Sequence, residues 1–154
     1  MTLPTRVAVA LVAVMTTVVP AACGGDAGGD LRATLTDDGC SYEGDDAPAA
    51  GKFTVDVENQ TTYYGAFALA AIAEGSTIDD LEPFLEEARQ QFQRSGTLPD
   101  PPSFYEQVVR AGVDAGATGS LPADLPAGTY ALMCFVDDLP TWRVYVAGKL
   151  DVTE

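Results

Sequence analysis

Residues 128–135, which read Gly-Thr-Tyr-Ala-Leu-Met-Cys-Phe, constrain the fold of this chain more than any other stretch. They follow a Pro-Ala-Gly turn and consist largely of residues that favour β-strands. Tyr130, Leu132 and Cys134 are spaced two residues apart, so a strand places all three on one face and Met133 on the other. An apolar strand face that ends in a cysteine predicts a buried sheet whose cysteine has a partner elsewhere.

Short strands separated by turns recur along most of the chain. Apolar and polar residues alternate at 31–36 and 52–58, which is typical of half-buried strands. The stretch 63–73 is rich in alanine and alternates weakly, so we expect both of its faces to be covered. The predicted strands are 31–36, 40–42, 52–58, 63–73, 104–110, 117–121, 129–136 and 142–152, with turns at 37–39, 43–51, 122–126 and 137–141.

One helix interrupts this pattern. Thr77 with Asp80 three residues later forms a capping-box sequence, and Ser95-Gly96 is a typical helix end. Seven or eight strands with one helix predict an all-β, antiparallel β-sandwich that carries one inserted α-helix. The apolar stripe of the predicted helix consists of Ile78, Leu81, Leu85, Ala88 and Phe92.

The N-terminal residues predict export. Arg6 precedes an apolar run at 7–19 that is too short to span a bilayer, which takes about 20 residues. This is typical of a secretory leader. The following Pro-Ala-Ala-Cys resembles a bacterial lipobox, which implies that Cys23 is acylated and becomes the mature N-terminus. Cleavage by an ordinary signal peptidase is the alternative.

The resulting organisation is a lipoprotein signal peptide at 1–22, a flexible glycine-rich tether at 23–30 and one domain at 31–154. A lipid anchor would hold the domain on the outer face of a bacterial cell membrane. The formal net charge of −15 makes a nucleic-acid partner unfavourable, because phosphate would be repelled.

The three cysteines divide into one lipidation candidate and one pair. With Cys23 assigned to acylation, Cys40 and Cys134 form an even pair in an oxidising compartment, where a disulfide is the expected state. The alternative is that a thiolate ligates a soft metal ion.

The C-terminal third resembles the last two strands of the cupredoxins. The segments that carry the resemblance are Gly-Thr-Tyr at 128–130, Cys134 and Gly-Lys-Leu-Asp-Val at 148–152. Residues 50–55 and 58–60 resemble an earlier strand of that fold and its exit. The resemblance implies a Greek-key sandwich over most of 31–154, with a helix and connector inserted at about 77–110.

The copper site of that family is not matched. A type 1 centre needs two imidazoles, a thiolate and a weak axial thioether, and this chain has no histidine. The corresponding positions fall near Tyr64 or Gly65, at 137–139, and near Tyr145 or Val146. Only Cys134 is retained, so we expect no type 1 copper centre, no metal ligand and no cofactor.

The sequence also resembles the histidine-poor cupredoxin module of ferrous-iron uptake lipoproteins. In that module a Gly-Cys segment precedes the early strand, and a second cysteine ends the Gly-x-Tyr strand before Gly-Lys-Leu-x-Val. Cys40 and Cys134 occupy the matching places here. This resemblance implies a role near metal handling.

No catalytic residue is predicted. Without histidine the chain has no Ser-His or Cys-His nucleophile, and we expect it not to be an enzyme. The favoured interpretation is a membrane-anchored binding or accessory protein for an unidentified protein partner or small ligand. The alternative is a copper- or iron-ion-binding module of a metal uptake or homeostasis system.

Overall fold

The computed structural model of this chain describes residues 31–139 and 141–154. The predicted leader at 1–22, the predicted tether at 23–30 and the lipidation candidate Cys23 lie outside the described residues. Among the residues that are described, no helix is both long enough and apolar enough to cross a membrane.

Eight strands and one α-helix make up the described chain, with a short 3-10 turn at Ile78–Asp80 that leads into the helix. The elements are β1 (Leu31–Thr36), β2 (Gly39–Glu43), β3 (Gly51–Asn59), β4 (Gly65–Ile72), α1 (Leu81–Ser95), β5 (Tyr105–Val113), β6 (Thr118–Leu125), β7 (Gly128–Asp138) and β8 (Thr141–Val152).

The strands form two four-stranded sheets. Sheet one has the order β2-β1-β3-β6, and sheet two has the order β5-β4-β7-β8. The chain crosses between sheets after β3, β5 and β6, so three of the six strand pairs join strands that are not consecutive. These sheets confirm the predicted β-sandwich with one inserted helix. All pairs are antiparallel except β1 with β3, which run parallel.

Alternating apolar residues build the core between the sheets. β1 buries Leu31, Ala33 and Leu35 and exposes or half-exposes the residues between them, as period-two alternation predicts. The central strands β4 and β7 are buried on both faces, because sheet one covers one face of sheet two and α1 covers the other. The expectation that the alanine-rich strand would be covered on both sides is confirmed.

The helix begins and ends where the sequence indicates. The backbone N–H of Thr77 donates a 2.8 Å hydrogen bond to the Asp80 carboxylate, and Gly96 ends α1 in the left-handed conformation at φ 69°, which glycine adopts without steric cost. Leu81, Leu85 and Ala88 are buried against sheet two.

The predicted turn at 122–126 is wrong, and β5 and β7 each extend beyond their predicted ends, to Val113 and Asp138. Residues 122–126 were expected to form a turn, but β6 continues through Pro122 to Leu125. Proline lacks a backbone donor and is tolerated on an edge strand. β6 is such an edge, and Pro122 lies opposite Thr54 of its only neighbouring strand.

Asn59 joins three strand ends at one place. It is 1% exposed, and its side-chain nitrogen lies 2.9 Å from the carbonyl oxygen of Tyr63, 3.0 Å from that of Val113 and 3.2 Å from that of Asp114. Its side-chain oxygen accepts hydrogen bonds from the backbone N–H and the hydroxyl of Thr61 at 3.0 and 2.7 Å. Asn59 is therefore a buried structural residue.

We predict that Asn59→Ala lowers the free energy of unfolding by about 3 kcal/mol, because buried carbonyls lose their donor. Urea unfolding followed by circular dichroism measures the change. The matched control is Gln60→Ala, since the Gln60 side chain is exposed and its amide donates only to Glu58, so the expected change is below about 0.5 kcal/mol. Equal effects of the two substitutions would contradict the role assigned to Asn59.

Candidate functional site

The predicted cysteine pair forms a disulfide that links the two sheets. Cys40 lies on β2 at the edge of sheet one, and Cys134 lies on β7 inside sheet two. Their sulfurs are bonded, with the Cα atoms 6.1 Å apart and the two residues separated by 94 positions in sequence. Cys134 is fully buried with Tyr130 and Leu132 on the face that packs against sheet one, while Met133 packs on the helix side. The disulfide prediction is confirmed.

The positions that correspond to the cupredoxin copper ligands lie on neighbouring strands. Gly65 pairs with Val136, and Tyr145 pairs with Cys134. The register therefore places the starts of β4 and β8 beside the end of β7. None of these positions carries an imidazole, and the sulfur of Cys134 is bonded to carbon and sulfur. The residues present do not fit a type 1 copper ion.

An arginine and two aspartates lie at this end of the sandwich, and we name Asp37, Tyr63, Asp138, Arg143 and Tyr145 the Arg143 cluster. The Arg143 guanidinium lies 3.3 Å from the Asp138 carboxylate and 3.8 Å from that of Asp37. It also donates to the Asp37 backbone carbonyl and lies 5.5 Å from the centre of the Tyr63 ring.

The Arg143 cluster is a second tie between the sheets. Asp37 belongs to the β1–β2 turn of sheet one, whereas Arg143 and Asp138 belong to the β7–β8 hairpin of sheet two. Because the Arg143 side chain is only 20% exposed, its ion pairs are less screened by water than surface pairs. Its Nε is buried without a hydrogen-bond partner among the described residues.

The acidic turn beside Cys40 accepts a hydrogen bond from a tyrosine of β2. The Tyr42 hydroxyl donates to the Asp45 backbone carbonyl at 2.9 Å. Burial, followed by the negative charges of Asp45 and Asp46, raises the pKa of Tyr42 to about 12, so the phenol remains a neutral donor near neutral pH. Within 31–139 and 141–154, no three histidine, cysteine, aspartate or glutamate side chains are grouped to hold a metal ion.

A pocket of about 240 Å³ opens between α1, the connector that follows it and the outer face of sheet two. We name it the helix pocket. Its walls are mainly aromatic and aliphatic side chains, and Arg110 and Gln107 are its charged and amide-bearing members. The lining residues are Phe84, Leu85, Ala88, Leu98, Pro99, Pro101, Tyr105, Gln107, Arg110, Met133, Phe135 and Trp142.

Two β-bulges determine which side chains of β5 and β8 face the helix pocket. The β4–β5 register shifts between Leu69 and Ala70, so that Leu69 pairs with Val109 but Ala70 pairs with Gln107. The skipped residue reverses the alternation, which lets Gln107 and Arg110 both face α1. β7 and β8 have a similar shift between Leu132 and Met133, beyond which Trp142 and Val144 pack on the helix side.

The Arg110 guanidinium lies over an aromatic wall of the helix pocket. Its central carbon is 4.9 Å from the centre of the Phe135 ring, a cation–π distance. Phe135 in turn contacts Trp142, with ring centres 6.0 Å apart. Burial raises the pKa of Tyr105, and the positive charge of Arg110 acts on it in the opposite direction, as expected for two groups in the same pocket.

Sequence reasoning did not identify Arg110, Trp142 or Arg143 as site residues. One usable signal existed for Arg143: it is a cation five residues after Asp138, the second aspartate of the predicted turn. The sequence contains no comparable signal for Arg110, because the bulge that orients its side chain depends on pairing with another strand.

Comparisons with known proteins bear on the fold alone. No protein-family model matches the sequence, and no curated protein matches it. Similar solved structures include a dithionite-reduced auracyanin from the photosynthetic bacterium Roseiflexus castenholzii, at 14% identity and a TM-score of 0.44, covering 80% of this chain and 95% of that chain. Auracyanin B is 18% identical, with a TM-score of 0.42 and coverages of 81% and 87%. The likeness extends over most of the described sandwich and carries no assignment of function.

We predict that the double substitution Cys40→Ala with Cys134→Ala lowers the free energy of unfolding by about 4–5 kcal/mol. The reason is that a cross-link over so long a loop restricts the unfolded chain. Urea unfolding without reductant measures the loss, and wild-type protein in the presence of reductant should lose a similar amount. An unchanged midpoint would contradict a stabilising disulfide.

Proposed function

We propose that this chain is a lipid-anchored extracytoplasmic protein whose cupredoxin-like domain has a non-enzymatic binding or accessory role without a type 1 copper centre. The observation that carries the proposal is the bond between Cys40 and Cys134 in a chain that has no histidine. Together they leave no free thiolate among the described residues and no imidazole at the positions where a copper protein of this fold needs them.

The Arg143 cluster supports the same proposal. A guanidinium pairs with two carboxylates at the corresponding end of the sandwich, so these carboxylates are engaged in ion pairs and are less available as ligands for a cation. The ties that connect the sheets at this end are therefore a covalent bond and ion pairs. We infer that the domain serves as a stable platform rather than as an electron carrier.

The chemistry of the side chains supports the proposed non-enzymatic role. Nucleophilic catalysis by serine or cysteine relies on an adjacent base, most often histidine, and both described cysteines are oxidised. The membrane anchor rests on Cys23 and its resemblance to a lipobox. The resemblance to modules of ferrous-iron uptake lipoproteins suggests a place beside a metal-handling system, with partner contacts instead of a metal site.

We predict that Cys23→Ala releases the protein from the membrane. Expressed in a bacterial host, the wild-type chain should sediment with membranes and partition into detergent, whereas Cys23→Ala should not acquire a lipid mass. The matched control is Cys40→Ala, which removes a different cysteine and should keep the lipid. Loss of the N-terminal leader without a lipid in the wild type would support ordinary secretion and contradict the anchor.

We also predict that the purified protein binds neither copper nor iron ions stoichiometrically. Calorimetric titration with Cu²⁺, and with Fe²⁺ under anaerobic conditions, should give heats no larger than those of diluting the metal ion into buffer. Saturable, one-to-one binding by the wild type would contradict the proposal and favour a metal-ion-binding module.

A further inference from the structure

We propose that the helix pocket binds a small apolar organic molecule that carries one carboxylate, with Arg110 as the group that holds the carboxylate. This inference deepens the binding role proposed above by assigning it a ligand class and a site. It rests on the shape of the pocket, the composition of its walls and the position of its one positive charge.

The walls of the helix pocket favour a ligand whose main part is apolar. Leu85 and Ala88 of α1 form one side, Phe135 and Trp142 of sheet two form the floor, and Leu98 of the connector forms part of the rim. Leu98 is 47% exposed, so the rim presents apolar surface to solvent. Pockets lined by aromatic and aliphatic groups with a few polar groups are typical of small-molecule sites.

The charge in the helix pocket selects the head group of the ligand. Arg110 is the only charged residue among the lining residues, and it forms no salt bridge with any acid in the described part of the chain. In a chain with 23 acidic residues and a net charge of −15, a pocket free of carboxylates is distinctive. A guanidinium presents paired donors that match a carboxylate.

Gln107 and Tyr105 complement this contact. Both face the helix pocket from the same strand as Arg110, and the amide and the neutral phenol supply further hydrogen-bond donors. The bulge in β5 brings Gln107 and Arg110 to the same side, as bulges do where a side chain is re-aimed near a binding site.

The size of the helix pocket limits the ligand. Its volume of about 240 Å³ equals that of about eight water molecules at roughly 30 Å³ each. An aromatic ring with a short acidic side arm is of a size that this space can hold.

The test uses phenylbutyrate and the uncharged phenylbutanol, which share the same apolar body, as probes of the purified protein. Trp142 is the only tryptophan of the chain and lines the helix pocket, so its fluorescence reports binding at this place. We expect phenylbutyrate to change the emission saturably and to bind more tightly than phenylbutanol, despite the negative net charge of the protein.

Arg110→Gln should weaken phenylbutyrate about tenfold and leave phenylbutanol unchanged, because a charged hydrogen bond is lost. The matched control is Arg32→Gln, an exposed arginine on sheet one, which should change neither affinity. Ala88→Leu should weaken both probes by filling the pocket, and thermal unfolding checks that each variant is folded.

Three results would overturn the inference: no saturable change with either probe, phenylbutanol binding as tightly as phenylbutyrate to the wild type, or equal losses in Arg110→Gln and Arg32→Gln. None of these results would contradict the proposed lipid anchor or the proposed absence of a copper centre, because lipid mass and metal titration test those proposals separately. Conversely, one-to-one copper binding with intact probe binding would overturn the proposed function and spare the helix pocket.

Discussion

The covalent link between Cys40 and Cys134 is the constraint on which the rest of the structure depends. β7 is an interior strand of sheet two, and its two faces pack against different elements. The disulfide holds one face against sheet one, while Met133 and Phe135 on the other face support the helix pocket. The cross-link therefore lies directly behind the strand that forms part of the floor of the helix pocket.

At the end of the sandwich that holds the Arg143 cluster, a disulfide and ion pairs connect the two sheets. A metal centre would join loops from several strands through its ligands. Here the sulfur is committed to a cross-link, and Arg143 joins Asp37 of sheet one to Asp138 of sheet two. Removing either aspartate would leave a largely buried guanidinium with less compensation, which is costly. We therefore propose a structural role for this end, while the proposed ligand site lies on the opposite face of sheet two.

Much of the fold follows from local patterns in the sequence. Period-two alternation located β1, β3 and β7, and the capping sequence at Thr77 with the stop at Gly96 located the helix. The disulfide followed from the number of cysteines and the expected compartment. Features that depend on pairing between strands could not be predicted from local patterns in the sequence. Pro122 signalled a turn, yet it is accommodated because β6 is an edge. The bulges that aim Arg110 and Trp142 at the helix pocket arise from registers that no single segment encodes.

The most direct test of this account is the mass of the mature protein after alkylation under denaturing, non-reducing conditions, followed by peptide mapping. The account predicts that Cys40 and Cys134 take up no alkylating reagent, and that their peptides migrate as one linked species until reductant separates them. Alkylation of both cysteines in the unreduced protein would contradict it. The thiolate of Cys134 would then be available as a ligand, and the sandwich would lack the link between its sheets.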